Sequence, residues 1–369
     1  MIESRKSSRS KAGSQLKKQE GEEESYEDEF EEDDPKPTYD NWLSWSQEQA
    51  TEMAKSEDVE AQKRAFYRLG LISQIDNELH TCLKHFERVT ELDPSFCKSQ
   101  VALRIAEVQY KLNDIDEAFR VLEKIEDELR DTDKYMLHLL KGKCYDKNKL
   151  YKQSVLEYQQ AIDLGQQFKI EDEVLGQIYF RLGWSIVRTK QDIEMGVENL
   201  KKANQMLKDN TEVMIKLAGV LFQESGSDSD IKQAGEILDK LIILDPNNAE
   251  AHLLKGKIQH KNKEWAESIT SLEQAIQIQA EDESQGPPKP NSFYFLGMSY
   301  EKTKDFKKSM QNYKKTLTLD NNHFGGCIHL ANLLANLGEG QRAAKYFKHA
   351  IKIDPESLNA HFGLGKALQ

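Results

Sequence analysis

At 369 residues, with 38% hydrophobic and 31% charged side chains, the chain can bury a sizeable core but exceeds the length at which one compact core keeps growing, so several domains or a repeat array are expected. Its formal net charge of −12 argues against general nucleic-acid or anionic-membrane binding, because either needs a basic footprint that only a local patch could supply here. No apolar run approaches about 18 residues, no hydrophobic leader opens the chain and Cys82, Cys97, Cys144 and Cys327 form no CxxC pair, so a soluble protein of a reducing compartment, without membrane insertion, is expected.

In chain order, residues 1–40 come first as a charge dipole. Arg5 to Lys18 holds six basic residues and no acid, and Glu20 to Asp34 holds eleven carboxylates and no Lys or Arg. Such a run predicts a disordered, solvated tail. Its Tyr26 and Phe30 also suit a pseudo-ligand that folds back on a basic surface, and Ser8, with Arg5 and Lys6 before it, has the spacing that basophilic kinases favour. Residues 41–62 predict a helix carrying Trp42 and Trp45 one turn apart, read as a cap on the element that follows, with a partner anchor as the sharper alternative.

From Lys63 onward the sequence repeats. "FYRLG", "IYFRLGW", "SFYFLGMSY" and "AHFGLGKAL" recur at spacings near 34 residues. Gly70, Ala106, Gly142, Gly183, Ala218, Gly256, Gly297, Ala331 and Gly365 mark the first helix of each unit. Ala118, Ser154, Gly196, Ala234, Ser268, Ser309 and Ala343 answer in the second. Small side chains at fixed spacing predict two helices in close contact, and apolar residues such as Phe86, Tyr158, Leu272 and Tyr313, four positions past the second small residue, predict the filling of the seam. Departures are Cys82 where a small residue is expected, four extra residues around "SGSDSD", and extra lengths at "QQFKIEDEVLG" and "AEDESQGPPKP".

This pattern resembles the tetratricopeptide repeat family, shown well by Leu330, Ala331, Leu334, Ala343, Phe347, Ala350 and Pro355. The resemblance implies an all-α, right-handed superhelical solenoid of antiparallel helix pairs. Units one to six would fill 63–286, and units seven, eight and a half unit 287–369. The last half unit carries Leu364, Gly365 and Leu368 at packing positions, which suggests a fragment or a face that meets a partner.

No GxxxxGK[ST], strand-borne GxGxxG, HExxH or GxSxG motif is present, and His252 and His260, eight residues apart on one helix, are too distant to share a metal. A non-enzymatic protein without cofactor or metal is therefore expected. Function should come from the concave surface, which in this family is lined by first-helix positions 2, 5, 6, 9, 12 and 13. Position 6 reads Arg68, Arg104, Leu140, Arg181 and Lys216 in the first five units, then Leu254, Phe295, His329 and Gly363. Lys111, Lys143, Lys147 and Arg188 add charge early, Tyr67, Tyr110, Phe180 and Trp184 interleave, and Tyr294 and Met298 stand beside Phe295 late.

The groove is thus expected to be basic early and apolar late, and to bind acidic or amphipathic peptide segments of other proteins, as a scaffold within a multiprotein complex. The Lys and Asn pair of the chaperone-binding members and the Asn ladder of the O-linked N-acetylglucosamine transferase array are both absent. The alternatives are the substrate-recruiting half of a larger enzyme of that transferase kind and a subunit of a ciliary transport complex. The cytoplasm is the expected location, with the cilium or nucleus as alternatives.

Overall fold

The computed structural model describes residues 41–282, 284 and 286–369; the tail, with Ser8, Tyr26, Phe30 and the acidic run, lies outside them. Among the described residues the architecture is eighteen α-helices without a strand. A short helix, α1 (Gln47–Met53), leads into eight antiparallel pairs: α2 (Val59–Ile75) with α3 (Leu79–Leu92), α4 (Lys98–Lys111) with α5 (Ile115–Ile125), α6 (Lys134–Lys147) with α7 (Tyr151–Gln167), and α8 (Asp172–Thr189) with α9 (Ile193–Met206). Next come α10 (Thr211–Val220) with α11 (Asp228–Leu244), α12 (Ala249–Lys261) with α13 (Trp265–Glu281), α14 (Pro290–Lys302) with α15 (Phe306–Leu319), and α16 (Phe324–Asn336) with α17 (Gly340–Ile353), before α18 (Leu358–Ala367). Each helix packs on its partner and on the next pair, which is the solenoid arrangement.

Local chemistry explains the boundaries. The side chains of Asp114, Asp192, Asn210, Asn248 and Asp305 each accept a main-chain N–H in the first turn of the helix they precede. Pro290 opens α14 at a position whose N–H has no intrahelical partner. Inside each pair the chain reverses through a residue in the left-handed region: Asn77, Asn113, Lys149, Lys190, Gly226, Lys263, Lys304 and Gly338. Seven of the eight fall at the same repeat position.

The small residues do what their spacing requires. A Cβ on Gly70 would sit 2.7 Å from the Phe86 ring, on Gly142 2.5 Å from Tyr158, on Gly256 2.6 Å from Leu272 and on Gly297 2.7 Å from Tyr313. Those partners are fully buried. Cys82 fills its small-residue position as a buried thiol whose Sγ lies 3.2 Å from the Gly70 carbonyl oxygen.

Three expectations need adjustment. The segment before the first pair is not one helix: Trp42–Ser44 forms a single 3-10 turn, α1 starts at Gln47 behind a Ser46 capping box, and Val59 to Gln62 already belong to α2. The extra residues near "SGSDSD" are taken up by a π-helical turn, Leu221–Ser225, continuing α10. In α18 it is Gly363 that receives the Phe347 ring, whereas a Cβ on Gly365 would meet nothing within 4 Å. At Gly70, Gly142, Gly256 and Gly297 the close side chain comes from the second helix of the same pair, whereas Phe347 reaches Gly363 from α17, the second helix of the preceding pair.

Candidate peptide-binding groove

The groove begins at unit one, where the N-terminal segment covers it. The Trp42 ring meets Tyr67 edge-on at 5.4 Å between centroids and Phe96 at 6.1 Å, and Tyr67 also contacts Phe86 at 5.7 Å. Tyr67 is consequently buried, 6% exposed, and belongs to the core, not to the groove surface predicted for it. Arg68 Nε donates to the Trp45 carbonyl at 2.8 Å, so this predicted groove cation holds the covering segment in place. The repeat frame points both side chains toward the concave face, but it carries no information about a segment that precedes the repeats.

Beyond this cover the predicted cations converge. Arg104 and Lys111 each lie 3.6 Å from Glu107, whose carboxylate also accepts from Gln74 Nε2 at 2.8 Å. Burial would raise the Glu107 carboxyl, but Lys143, Lys111, the Gln74 bond and Arg104 outweigh it and hold the group below the usual carboxylate range. Burial, joined by the like charges of Arg181 and Lys111 and opposed by Glu107 and Cys144, pushes the Lys143 ammonium down to about 8. Arg181 reaches the Tyr110 hydroxyl region. The nearby Asp146 is occupied by hydroxyls: Tyr158 Oη donates at 2.9 Å and Ser185 Oγ at 2.6 Å, tying α6, α7 and α8 together. Neither Lys143 nor Arg181 has a carboxylate within ion-pair distance among the described residues. Leu140, at the same repeat position as these arginines, is buried between α4 and α6.

Next along the chain is a cleft of about 490 Å³ lined by Tyr151, Trp184, Arg188, Lys216, Glu224, Glu250 and Leu254. Lys216 Nζ lies 5.3 Å from the Trp184 ring centre, and Arg188 Cζ lies 5.2 Å from that of Tyr151, to whose hydroxyl Arg188 Nη2 donates at 2.9 Å. These are cation–π contacts that leave the indole half-exposed. Phe180 is half-buried and packs against two core clusters. Sequence reasoning missed Tyr151, on a second helix, and Glu224, on the π-helical turn. The four-residue insertion was the only signal for the latter.

In the later units Tyr294 and Phe295 are half-buried and mutually packed at 5.3 Å. Tyr294 packs on His323 at 4.7 Å with the rings tilted by 49° and lies 5.6 Å from His329, while Phe295 meets His260 at 6.2 Å and carries Lys257 Nζ 5.2 Å from its centre. His260 contacts Ser299 Oγ at 2.8 Å and His252 contacts the Pro246 carbonyl at 2.9 Å, so both histidines have structural partners. Among the described residues no group of three or more His, Cys, Asp or Glu could hold a metal ion, and no helix is long and apolar enough to cross a membrane.

Tetratricopeptide repeat models match residues 100–128, 227–284, 290–323 and 325–357, which coincide with helices of the pairs described above. The matched stretches are tetratricopeptide repeats, and the helix pairs around them share the same packing. Among curated relatives, Anaphase-promoting complex subunit 3 of Schizosaccharomyces pombe is 26% identical over 161 residues, 36% of this chain and 24% of that one. Superkiller complex protein 3 of Mus musculus is 26% identical over 148 residues, 40% of this chain and 9% of that one. The chain therefore spans a minor part of either relative. The solved APC/C hetero-tetramer Cut9–Hcn1 contains a chain that superposes with a TM-score of 0.55 at 14% identity, covering 89% of this repeat array's chain and 61% of the other, a likeness of fold.

Proposed function

We propose that this protein is a non-catalytic scaffold whose groove over α4, α6, α8 and α10 binds an extended acidic segment of a partner protein, with aromatic side chains seated near Trp184. One observation carries the reading. Arg104, Lys111 and Lys143 crowd around Glu107 with Arg181 beside Lys143, and burial first, then the like charges of Arg181 and Lys111, depress the Lys143 ammonium. An arriving carboxylate relieves that repulsion and forms charge-assisted hydrogen bonds, each contributing roughly 1.5–3 kcal/mol in such a setting. The Trp184 cleft with its two cations suits a Tyr or Phe of the same segment. Two relatives whose names place them in complexes, the anaphase-promoting and Superkiller proteins, support the scaffold reading.

Calorimetric titration with a Glu-rich peptide containing Tyr and Phe tests it. Arg104→Glu combined with Arg181→Glu should weaken binding at least about tenfold, the equivalent of 1.4 kcal/mol, and raised salt should weaken the wild type. Affinity unchanged in the double variant overturns the assignment.

A further inference from the structure

The basic residues of this acidic protein are unevenly placed. Residues 302–353 carry ten Lys and Arg against three Asp and Glu, in a chain of net charge −12. Helices α15 and α17 flank a cleft of about 640 Å³ lined by Lys314 and Thr318 on one side and by Arg342, Lys345, Tyr346 and His349 on the other. Lys307 stands seven residues before Lys314 and Lys352 seven after Lys345, so each bank continues its stripe of positive charge over about 10 Å.

The usual neutralisation is missing. Elsewhere Lys202 pairs with Glu198 and Arg88 with Glu91 along their own helices. Here Glu339 is held by Arg342, Asp305 lies 4.0 Å from Lys308, and Asp320 accepts the Asn322 N–H at 3.0 Å. Lys307, Lys314, Lys345, Lys348 and Lys352 are exposed and have no carboxylate within ion-pair distance among the described residues. On the α17 bank stand two half-buried rings, Tyr346 and His349, the latter anchored by the Asn321 carbonyl at 2.7 Å.

We infer that the α15–α17 groove binds single-stranded nucleic acid through its phosphate backbone. A groove with cations on both banks tracks a polyanion, and the rings that line its α17 bank supply surfaces on which bases stack. An acidic peptide brings a ring only where its sequence holds one, whereas a nucleotide chain brings a phosphate and a base together in every unit. The −12 of the whole chain does not oppose this, since association is governed by the local field within roughly a Debye length of 8–10 Å. The site shares no residue with the concave groove, and either stands if the other fails.

The test is fluorescence anisotropy of a labelled oligouridylate of about 15 nucleotides with the full-length chain, titrated between roughly 50 and 200 mM salt. Binding should weaken steeply with salt. Lys314→Glu combined with Lys345→Glu should weaken it at least about tenfold and reduce the slope of log K against log salt by roughly 1.4, which is 0.7 for each lost phosphate contact. Arg104→Glu with Arg181→Glu should leave it unchanged. Both lysines are exposed, and matched thermal unfolding of the variants excludes misfolding as the cause. The inference is overturned by no binding at the lowest salt, by indifference to the Lys314 and Lys345 reversals, or by loss in the Arg104 and Arg181 variant. Tighter binding of anionic vesicles, or of a peptide spanning residues 20–34, at the same lysines also overturns it.

Discussion

Adding one methyl group at Gly183 should cost far more than the same change at Gly235. A Cβ on Gly183 would lie 2.8 Å from the Gly196 carbonyl oxygen, 2.9 Å from the Leu200 nitrogen and 3.0 Å from Leu200 Cγ. Two of the three obstacles are main chain of α9, so no rotamer change relieves them and α8 must move away from α9. Alanine is favoured over glycine in a helix interior by about 1 kcal/mol, and overpacking a core contact costs typically 1–3 kcal/mol, occasionally more. With rigid backbone as the obstacle, the upper part of that range applies, and Gly183→Ala should lose about 2 kcal/mol net. Gly235 in α11 has nothing within 4 Å of a Cβ, so Gly235→Ala should gain close to 1 kcal/mol. Urea midpoints by circular dichroism compare the two variants, and hydrogen exchange of the α8 and α9 amides localises the loss, since a repeat array need not unfold in one step. Gly183→Ala as stable as wild type would refute the claim that backbone contact sets the α8–α9 crossing.

Other expectations follow from the same coordinates. Lys263 adopts φ 67°, so Lys263→Gly should raise stability by roughly 0.5 kcal/mol, the left-handed penalty of 1–2 kcal/mol less the entropy glycine brings to the unfolded chain; a lower melting temperature would contradict this. Trp42→Ala should cost about 2 kcal/mol through lost contacts with Tyr67 and Phe96, read as faster hydrogen exchange in α2. Lys143 is depressed to about 8, so between pH 8 and its ordinary value near 10.5 the unfolded chain binds more protons than the folded one; stability should rise with pH across that window, and Lys143→Met should flatten the rise in pH-dependent urea titrations. If residues 20–34 compete for the concave cations, deleting residues 1–34 should strengthen acidic-peptide binding at low salt and not at high salt; equal affinities at low salt would leave the tail without that role.

The helix pairing was legible because close approach admits few residue types. Gly142 and Gly297 could be assigned from spacing, since any larger side chain collides with Tyr158 or Tyr313. The reversal inside each pair was not legible: Lys149, Lys190, Lys263 and Lys304 tolerate the left-handed region there and look like ordinary surface lysines. Groove assignment failed at Tyr67 and was limited at Arg68 because a repeat position fixes direction but not what lies over it. Glu107, the shared partner of Arg104 and Lys111, was legible from its spacing of three and four residues on one helix, yet it is missing from the expected groove. The uncovered basic stripe on α17 was present as Arg342, Lys345 and Lys352, but its facing bank on α15 became apparent only once the two helices were side by side.

A solenoid separates packing from recognition more completely than a globular core does. Small residues and their ring partners are confined to one stripe of each helix, so the remaining positions are free to vary from unit to unit without loss of the fold. In this chain that freedom produces a crowded cation cluster over α4, α6 and α8 and an aromatic and histidine cluster over α12, α14 and α16. It also produces a lysine stripe on α15 and α17 in which Lys314, Lys345 and Lys352 have no carboxylate within ion-pair distance among the described residues. The aromatic and histidine cluster also packs helices together, through Tyr294, Phe295 and the His260 contact with Ser299, whereas the first and last clusters carry electrostatic repulsion that a neutral surface would avoid. Repulsion retained at positions with no packing duty is the physical reason to assign binding to the concave cations and to the α15–α17 groove separately.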